Sequence, residues 1–212
     1  MTCETKDKTI QAVDVQQTMT QILEAESRAI RNIPVDRSYQ RAVEIIVEQV
    51  HRRHGKIVTS GMGKCGQIAM NIATTFCSTG SPAVNLHPAE AQHGDLGILQ
   101  DNDVLLLLSN SGKTREILEL VELARRLTPD VPVITITGNA GSPLAELADV
   151  TLFTGGAPEV CPLGLTPTTS TTAMTVMGDV LVVSCMKAIG FTRHEYALRH
   201  HGGYLGSVAK KG

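Results

Sequence analysis

Large aromatic side chains are scarce in this sequence of 212 residues, because Phe, Tyr and Trp make up 3% of it and Trp is absent. Small residues, among them 19 glycines, must therefore shape its working surfaces. An excess of charge of one sign is also missing, since 19 Lys and Arg nearly balance 21 Asp and Glu. This balance gives no electrostatic reason to expect nucleic acid or an anionic membrane as a partner.

Long apolar runs and metal-ligand patterns are missing as well. No apolar run has the length of a membrane span, and residues 1–8 contain no apolar core of a signal peptide, which predicts a cytoplasmic protein. The five cysteines are an odd number without C-x-x-C spacing, so we expect reduced thiols. H-E-x-x-H is absent too, and we expect neither a metal nor another cofactor.

What the sequence does contain, from Gly55 onward, is an alternation of short apolar runs and helical stretches. The apolar runs predict strands at about 57–58, 83–86, 104–108, 133–136 and 150–153. Helical patterns occupy about 64–78, 115–127, 143–148 and 170–189. Such βαβ alternation predicts an α/β fold, a three-layer αβα sandwich around a five-stranded parallel sheet.

The residues before Gly55 show helical spacing instead. Two amphipathic helices are predicted at about 9–31 and 37–53, ended by Pro34 and Gly55. Their apolar stripe precedes any strand that could cover it. We therefore expect residues 1–54 to be a helical extension that packs on the core or on a partner subunit, and residues 55–212 to form one domain.

A glycine loop follows the first strand. Gly61, Gly63 and Gly66 match G-x-G-x-x-G in a strand-to-helix turn, the context of a dinucleotide site. The acidic residue that such a site needs after the second strand is missing, and a tight turn without a ligand is the plain alternative. We favour a third interpretation, in which loop amides and the Lys64 cation hold a phosphate or a polar sugar.

A serine loop, residues 109–114, follows the third strand. Its end resembles a Walker A loop, but position 107 is leucine where that loop needs glycine. The hydroxyls of Ser109, Ser111 and Thr114 lie at the carboxyl edge of a parallel sheet and predict a monophosphate cradle, although a simple helix cap is the alternative. The expected binding residues of both loops are Gly61, Gly63, Ser109, Asn110, Ser111 and Thr114.

Several segments, in this order, resemble the D-arabinose-5-phosphate isomerases of the sugar isomerase (SIS) family. They are Gly61-Met62-Gly63-Lys64, residues 87–97, Ser109-Asn110-Ser111-Gly112, residues 161–172 and Met177-Gly178-Asp179. The resemblance covers about residues 55–206. It implies the SIS fold, usually as a homotetramer, and interconversion of D-ribulose 5-phosphate and D-arabinose 5-phosphate on the way to the octulosonic sugar Kdo.

The resemblance also implies site residues by position. Lys64, Glu116, Glu159 and His200 match the family's proposed active-site residues, His93 lies in its H-G-D-L segment, and a neighbouring subunit often supplies the histidine that His200 matches. The sequence departs from the pattern in three ways. Cys65 stands where serine is common, His201 replaces a proline, and the paired cystathionine-β-synthase repeats of many members are absent, so we expect the catalytic domain alone.

Isomerisation between C1 and C2 needs a carboxylate that carries a proton through a cis-enediolate. Glu159 and Glu116 are the candidates, and Glu159 is slightly favoured because partial burial in its Pro- and Gly-rich loop would raise its pKa. Lys64 would stabilise the oxyanion, and His93 or His200 would move protons between sugar oxygens. The alternatives are a non-catalytic sugar-phosphate-binding SIS regulator and an SIS isomerase of a hexulose or heptose phosphate.

Overall fold

The computed structural model describes residues 12–209, apart from the side chain of Leu205. Its strands are β1 (Ile57–Gly61), β2 (Ala83–Asn85), β3 (Val104–Leu108), β4 (Val133–Thr137) and β5 (Val150–Phe153). They form one sheet in the order β2-β1-β3-β4-β5, and every neighbouring pair is parallel. The predicted five-stranded parallel sheet is confirmed.

Helices cover both faces of this sheet. They are α1 (Val15–Arg31), α2 (Arg37–Ile46), α3 (Lys64–Ser78), α4 (Pro88–Ala91), α5 (Arg115–Leu127), α6 (Pro143–Leu147), α7 (Thr169–Ala188), α8 (Arg193–Arg199) and α9 (Gly203–Ala209). The bounds of α3 and α5 are those predicted. The predicted helix at 37–53 instead divides into α2 and a π-helical segment, Val47–Arg52. The predicted start of the first helix at residue 9 lies outside the described residues.

The central strand β3 shows why three layers form. All five of its residues are buried apolar side chains, as expected for a strand with helices on both faces. Leu106 and Leu108 belong to the core shared with α2, α3 and α7, whereas Leu105 and Leu107 belong to the core under α5. Helix α7 is long and apolar enough to span a membrane, but half of it is buried here, as in a core helix.

The N-terminal helices pack on this sandwich. Both α1 and α2 contact α7, and α2 also contacts β5. Ile46 of α2 is fully buried, and Thr172 of α7 donates a hydrogen bond to the Glu26 carboxylate of α1 at 3.2 Å. The outer face of α1 remains uncovered, with Met19 60% and Leu23 55% exposed.

The strand order places a crevice at the carboxyl edge of the sheet. From β1 the chain crosses to β2 on one side, and it then returns to β3 on the other side of β1. The loops after β1 and β3 therefore diverge, which is where open α/β sheets bind ligands. These two loops are the glycine loop and the serine loop.

Candidate active site

The glycine loop is a turn that only small residues allow. A Cβ on Gly61 would lie 2.7 Å from the backbone of Cys65, and Gly63 has a φ of +57°. No side chain caps the N-terminus of α3, so its first amides donate no hydrogen bond to a cap side chain. The exposed Lys64 side chain adds a cation to these amides, which together suit an anion or a polar sugar.

The serine loop turns its carbonyl oxygens away from the crevice. The Asn110 carbonyl accepts from Gly138 N at 3.0 Å, and the Gly112 carbonyl accepts from Leu144 N at 3.1 Å. Both donors follow β4, on the side away from the glycine loop. An anion in the crevice therefore meets the loop without repulsion from these oxygens, and the uncapped N-terminus of α5 lies at the end of the loop.

The hydroxyl groups of the serine loop have different surroundings from those expected. Ser109 is 2% exposed, its Oγ lies 2.9 Å from Thr114 Oγ1, and it accepts from Gly112 N at 3.1 Å. The exposed Ser111 hydroxyl accepts from Lys113 N at 3.1 Å. All three hydroxyls thus make contacts within the loop, and of the three residues Ser109 is buried, Thr114 is half-buried and Ser111 is exposed.

The two candidate carboxylates differ sharply. Glu116 is half-buried in the first turn of α5 and makes no hydrogen bond or ion pair with the described residues. Glu159 Oε2 accepts from Thr168 N at 2.7 Å, from Thr168 Oγ1 at 3.0 Å and from Ser170 N at 3.2 Å. Glu159 therefore holds the start of α7.

These contacts overturn the pKa expected for Glu159. Burial acts to raise the pKa of this carboxyl, but hydrogen bonds from Ser170 and Thr168 outweigh burial, and the pKa lies below its usual value. The prediction of a raised pKa was wrong because the loop directs the carboxylate onto the N-terminus of α7, which favours the charged form.

Of the two candidate histidines, His93 lies at the carboxyl edge. It is exposed and follows α4, which the preceding Gln92 ties to α5 through a 2.8 Å hydrogen bond to the Glu119 carboxylate. Four of the predicted catalytic residues therefore lie at the crevice edge: Lys64, His93, Glu116 and Glu159.

His200 lies elsewhere in this chain. Its ring stacks on Tyr196 with centroids 3.8 Å apart, just after α8. The neighbouring Arg199 lies 5.3 Å from the Phe191 ring, and Phe191 packs against Gly80, beyond the C-terminal end of α3. Because α3 is about 22 Å long and Lys64 begins it, the structure does not bring His200 to the crevice of its own chain.

Two cysteines acquire roles that the sequence did not predict. Burial raises the pKa of Cys65, although the nearby backbone of Asn110 in the serine loop acts to lower it, and the Cys65 thiol lies 3.8 Å from Met174 Sδ. The Cys161 thiol accepts from Thr166 N at 3.1 Å and from Leu165 N at 3.2 Å, and these donors lower its pKa to about 7. Neither contact has a signal in the spacing of the sequence.

A polar groove of about 310 Å³ adjoins the crevice between α3 and α7. Lys64, Gln67 and Asn71 line one wall, and Thr171 and Thr175 line the other. A hydroxylated ligand suits such walls better than an apolar one. Among residues 12–209, no group of three or more His, Cys, Asp or Glu side chains is placed to hold a metal ion.

The crevice, with its two loops and the strand order, is the architecture of a sugar isomerase domain. The family profile of the SIS domain matches residues 51–184, and the chain belongs to this family. Arabinose 5-phosphate isomerase KdsD of Yersinia pestis is 45% identical over 196 residues, which cover 92% of this chain and 58% of the relative. The chain thus spans somewhat over half the length of the curated relatives that it matches.

Solved structures agree with this assignment. A proposed phosphosugar isomerase involved in capsule formation from Bacteroides fragilis NCTC 9343 is 65% identical, with a TM-score of 0.88 over 90% of this chain and 99% of that one. The c3406 protein of Escherichia coli CFT073, solved in complex with arabinose 5-phosphate, is 30% identical, with a TM-score of 0.82 over 90% and 100% of the two chains. The predicted SIS fold is confirmed.

Proposed function

We propose that this protein interconverts D-ribulose 5-phosphate and D-arabinose 5-phosphate for Kdo biosynthesis, which serves lipopolysaccharide or capsule. The observation that carries the proposal is the crevice itself, where an amide-rich loop suited to a phosphate lies at the same sheet edge as a lysine and a carboxylate that have no partners among the described residues. The names of the Yersinia and Bacteroides relatives and the sugar-phosphate complex of the Escherichia coli protein support this choice of substrate.

In this mechanism the serine loop binds the phosphate, and Glu116 removes a proton from C1 of the ketose. The electrons of the C1–H bond form the C1–C2 double bond of a cis-enediolate, and the negative charge that develops on O2 meets Lys64. His93 then moves a proton from O1 to O2 of the enediolate, which places the negative charge on O1. Glu116 returns the proton it carries to C2, and the electron pair on O1 forms the C1 carbonyl of the aldose.

Glu116 is a better base than Glu159 in this site. Three hydrogen bonds to one oxygen stabilise the charged form of Glu159, and its lowered pKa weakens its affinity for a substrate proton. Glu116 gives up no such bonds when it accepts a proton. The contacts at the crevice therefore favour Glu116 for proton transfer and Glu159 for anchoring α7.

Solvent exchange tests the proposal directly. Incubated with ribulose 5-phosphate in D₂O, the protein should form arabinose 5-phosphate and place deuterium at C1 of the ketose. Glu116→Gln should abolish both, whereas Glu122→Gln, further along the exposed side of α5, should abolish neither. Turnover of a hexulose or heptose phosphate but not of ribulose 5-phosphate would show that the enzyme has that other substrate. Binding of the sugar phosphate without turnover or exchange would identify a regulator.

We also propose a cytoplasmic homotetramer in which subunits share active sites. Support comes from the position of His200, remote from the crevice of its own chain, and from the exposed Met19 and Leu23 of α1. If sites are shared, mixed oligomers of the inactive variants Glu116→Gln and His200→Ala should regain part of the activity. Light scattering that finds a fully active monomer would contradict shared sites.

A further inference from the structure

The last residue of β4, Thr137, contacts the serine loop although it lies outside the crevice. It is fully buried, and its Oγ1 donates to the Asn110 carbonyl at 3.3 Å. The same oxygen accepts from Asn139 N at 3.2 Å. A Cβ added to Gly112 would lie 3.2 Å from it, so Thr137 also packs against the far end of the loop.

These contacts fix the direction of a carbonyl that matters for anion binding. The Asn110 carbonyl is shared between Gly138 N and the Thr137 hydroxyl, both of which hold it on the β4 side. If this oxygen swung toward the crevice, its negative end would repel a phosphate, and the adjoining amide would turn away. A buried hydroxyl that both donates and accepts is well suited to hold the peptide unit in place.

We propose that Thr137 is a positioning residue for phosphate binding, which it serves by holding the serine loop with its carbonyls turned outward. This role rests on the sugar-phosphate isomerase activity proposed above. Thr137 touches no substrate. It acts through Asn110 and Gly112, and its removal should weaken the affinity for phosphate more than it slows the chemical step.

The chain offers a matched control in the same strand. Thr135 lies two residues earlier, on the same side of β4, and is also fully buried. Its hydroxyl donates to the Leu107 carbonyl at 3.1 Å, within β3 rather than in the serine loop. Valine at either position keeps the shape and removes a hydroxyl that donates to a backbone carbonyl, and Thr137→Val also removes the acceptor of Asn139 N.

The experiment compares Thr137→Val, Thr137→Ser and Thr135→Val by kinetics, by calorimetry with inorganic phosphate and by thermal melting. Thr137→Val should raise the KM for ribulose 5-phosphate and the Kd for phosphate about three- to tenfold, the worth of one hydrogen bond, with kcat within about twofold. Thr137→Ser should restore the affinity. Thr135→Val should lower the melting temperature by about 2–4 °C and leave both constants unchanged.

Equal phosphate affinities in the two valine variants would overturn the proposal, and so would a wild-type protein that binds no phosphate. If Thr137→Val does not fold, Thr137→Ala takes its place in the same comparison. A wild-type protein that binds phosphate but does not isomerise ribulose 5-phosphate would refute the proposed function alone, because the calorimetric comparison of Thr137 with Thr135 still decides the positioning role.

Discussion

Replacing Glu159 by alanine should destabilise the fold through the start of α7. The substitution leaves Thr168 N and Ser170 N without their acceptor, and it leaves Thr168 Oγ1 with only the Thr166 carbonyl at 3.4 Å. The two amides lie at the N-terminal turn of a 20-residue core helix, where the first amides have no acceptor within the helix. Water can reach part of this half-buried site and will replace some of what is lost.

The magnitude follows from the kind of bond removed. A lost helix cap costs about 0.5–2 kcal/mol, and a lost bond to a charged acceptor costs about 1.5–3 kcal/mol when its donor stays buried. Because these effects overlap here, we expect a loss of about 2–3 kcal/mol in the free energy of unfolding, or about 4–12 °C in melting temperature for a chain of this size. Glu159→Gln keeps one acceptor oxygen and should lose about half as much.

The stabilisation that Glu159 provides should depend on pH, and the direction follows from its lowered pKa. The pKa of Glu159 is lower in the folded protein than its ordinary value of 4.5, so the unfolded chain binds the proton more readily. The stabilisation is therefore complete above about pH 4.5 and disappears as the pH falls through the folded pKa. The gap in melting temperature between wild type and Glu159→Ala should be constant from about pH 6 to 8 and should narrow in more acidic buffer.

Thermal melts by circular dichroism provide the measurement, with Glu122→Ala as the control. Glu122 is an exposed carboxylate on α5, paired with Arg126 at 4.0 Å, and its loss should change the stability by less than about 0.5 kcal/mol. The reasoning fails if Glu159→Ala has the melting temperature of wild type at about pH 7. It also fails if the difference in melting temperature is as large near pH 3.5 as near pH 7.

The packing of α7, the Cys161 thiol and the exposed face of α1 carry the remaining predictions. A Cβ at Gly178 would lie 2.5 Å from Ile72 Cγ1, so Gly178→Ala should lower the free energy of unfolding by about 1 kcal/mol in denaturant melts, although alanine has the better helix propensity. Unchanged stability would show that α3 and α7 move apart without cost. Iodoacetamide should alkylate Cys161 at a rate that rises through about pH 7, as measured by mass spectrometry. The buried Cys185, whose pKa is raised to about 12, should stay unmodified. A rate for Cys161 that rises with a midpoint near pH 9 would contradict the lowered pKa. Met19→Asp should shift light scattering toward smaller species, and an unchanged mass would remove α1 from the subunit contacts.

The sequence predicts the sheet well because its strands are buried on both faces. β3 is a continuous apolar run, and its observed bounds are those predicted. The apolar pattern misses the end of β1, since Ser60 and Gly61 have weak strand propensity. They are strand because they pair with Leu107 and Leu108 in β3, a contact between distant parts of the chain that local propensity does not contain.

The site is harder to predict, because its chemistry depends on which polar groups satisfy one another. The order Gly61-Met62-Gly63-Lys64 does indicate a turn at a helix N-terminus, and the structure has one there. The prolines near Glu159 indicate burial in an apolar loop. Its partners Thr168 and Ser170 are reached only when the loop closes back on α7, which no spacing rule contains.

The fold separates the polar residues at the carboxyl edge into two groups. Ser109 and Glu159 are engaged by hydrogen bonds within the protein, and removing such groups leaves donors unpaired and costs stability. Lys64 and Glu116 have no ion pair or hydrogen bond with the described residues, so neither side chain stabilises the fold through such a contact. An uncompensated charge near a crevice is not explained by stability alone. A substrate with a phosphate and a developing oxyanion would use a free cation and a free carboxylate beside an amide-rich loop. The hydrogen-bond partners of each residue therefore separate roles that the sequence alone does not distinguish.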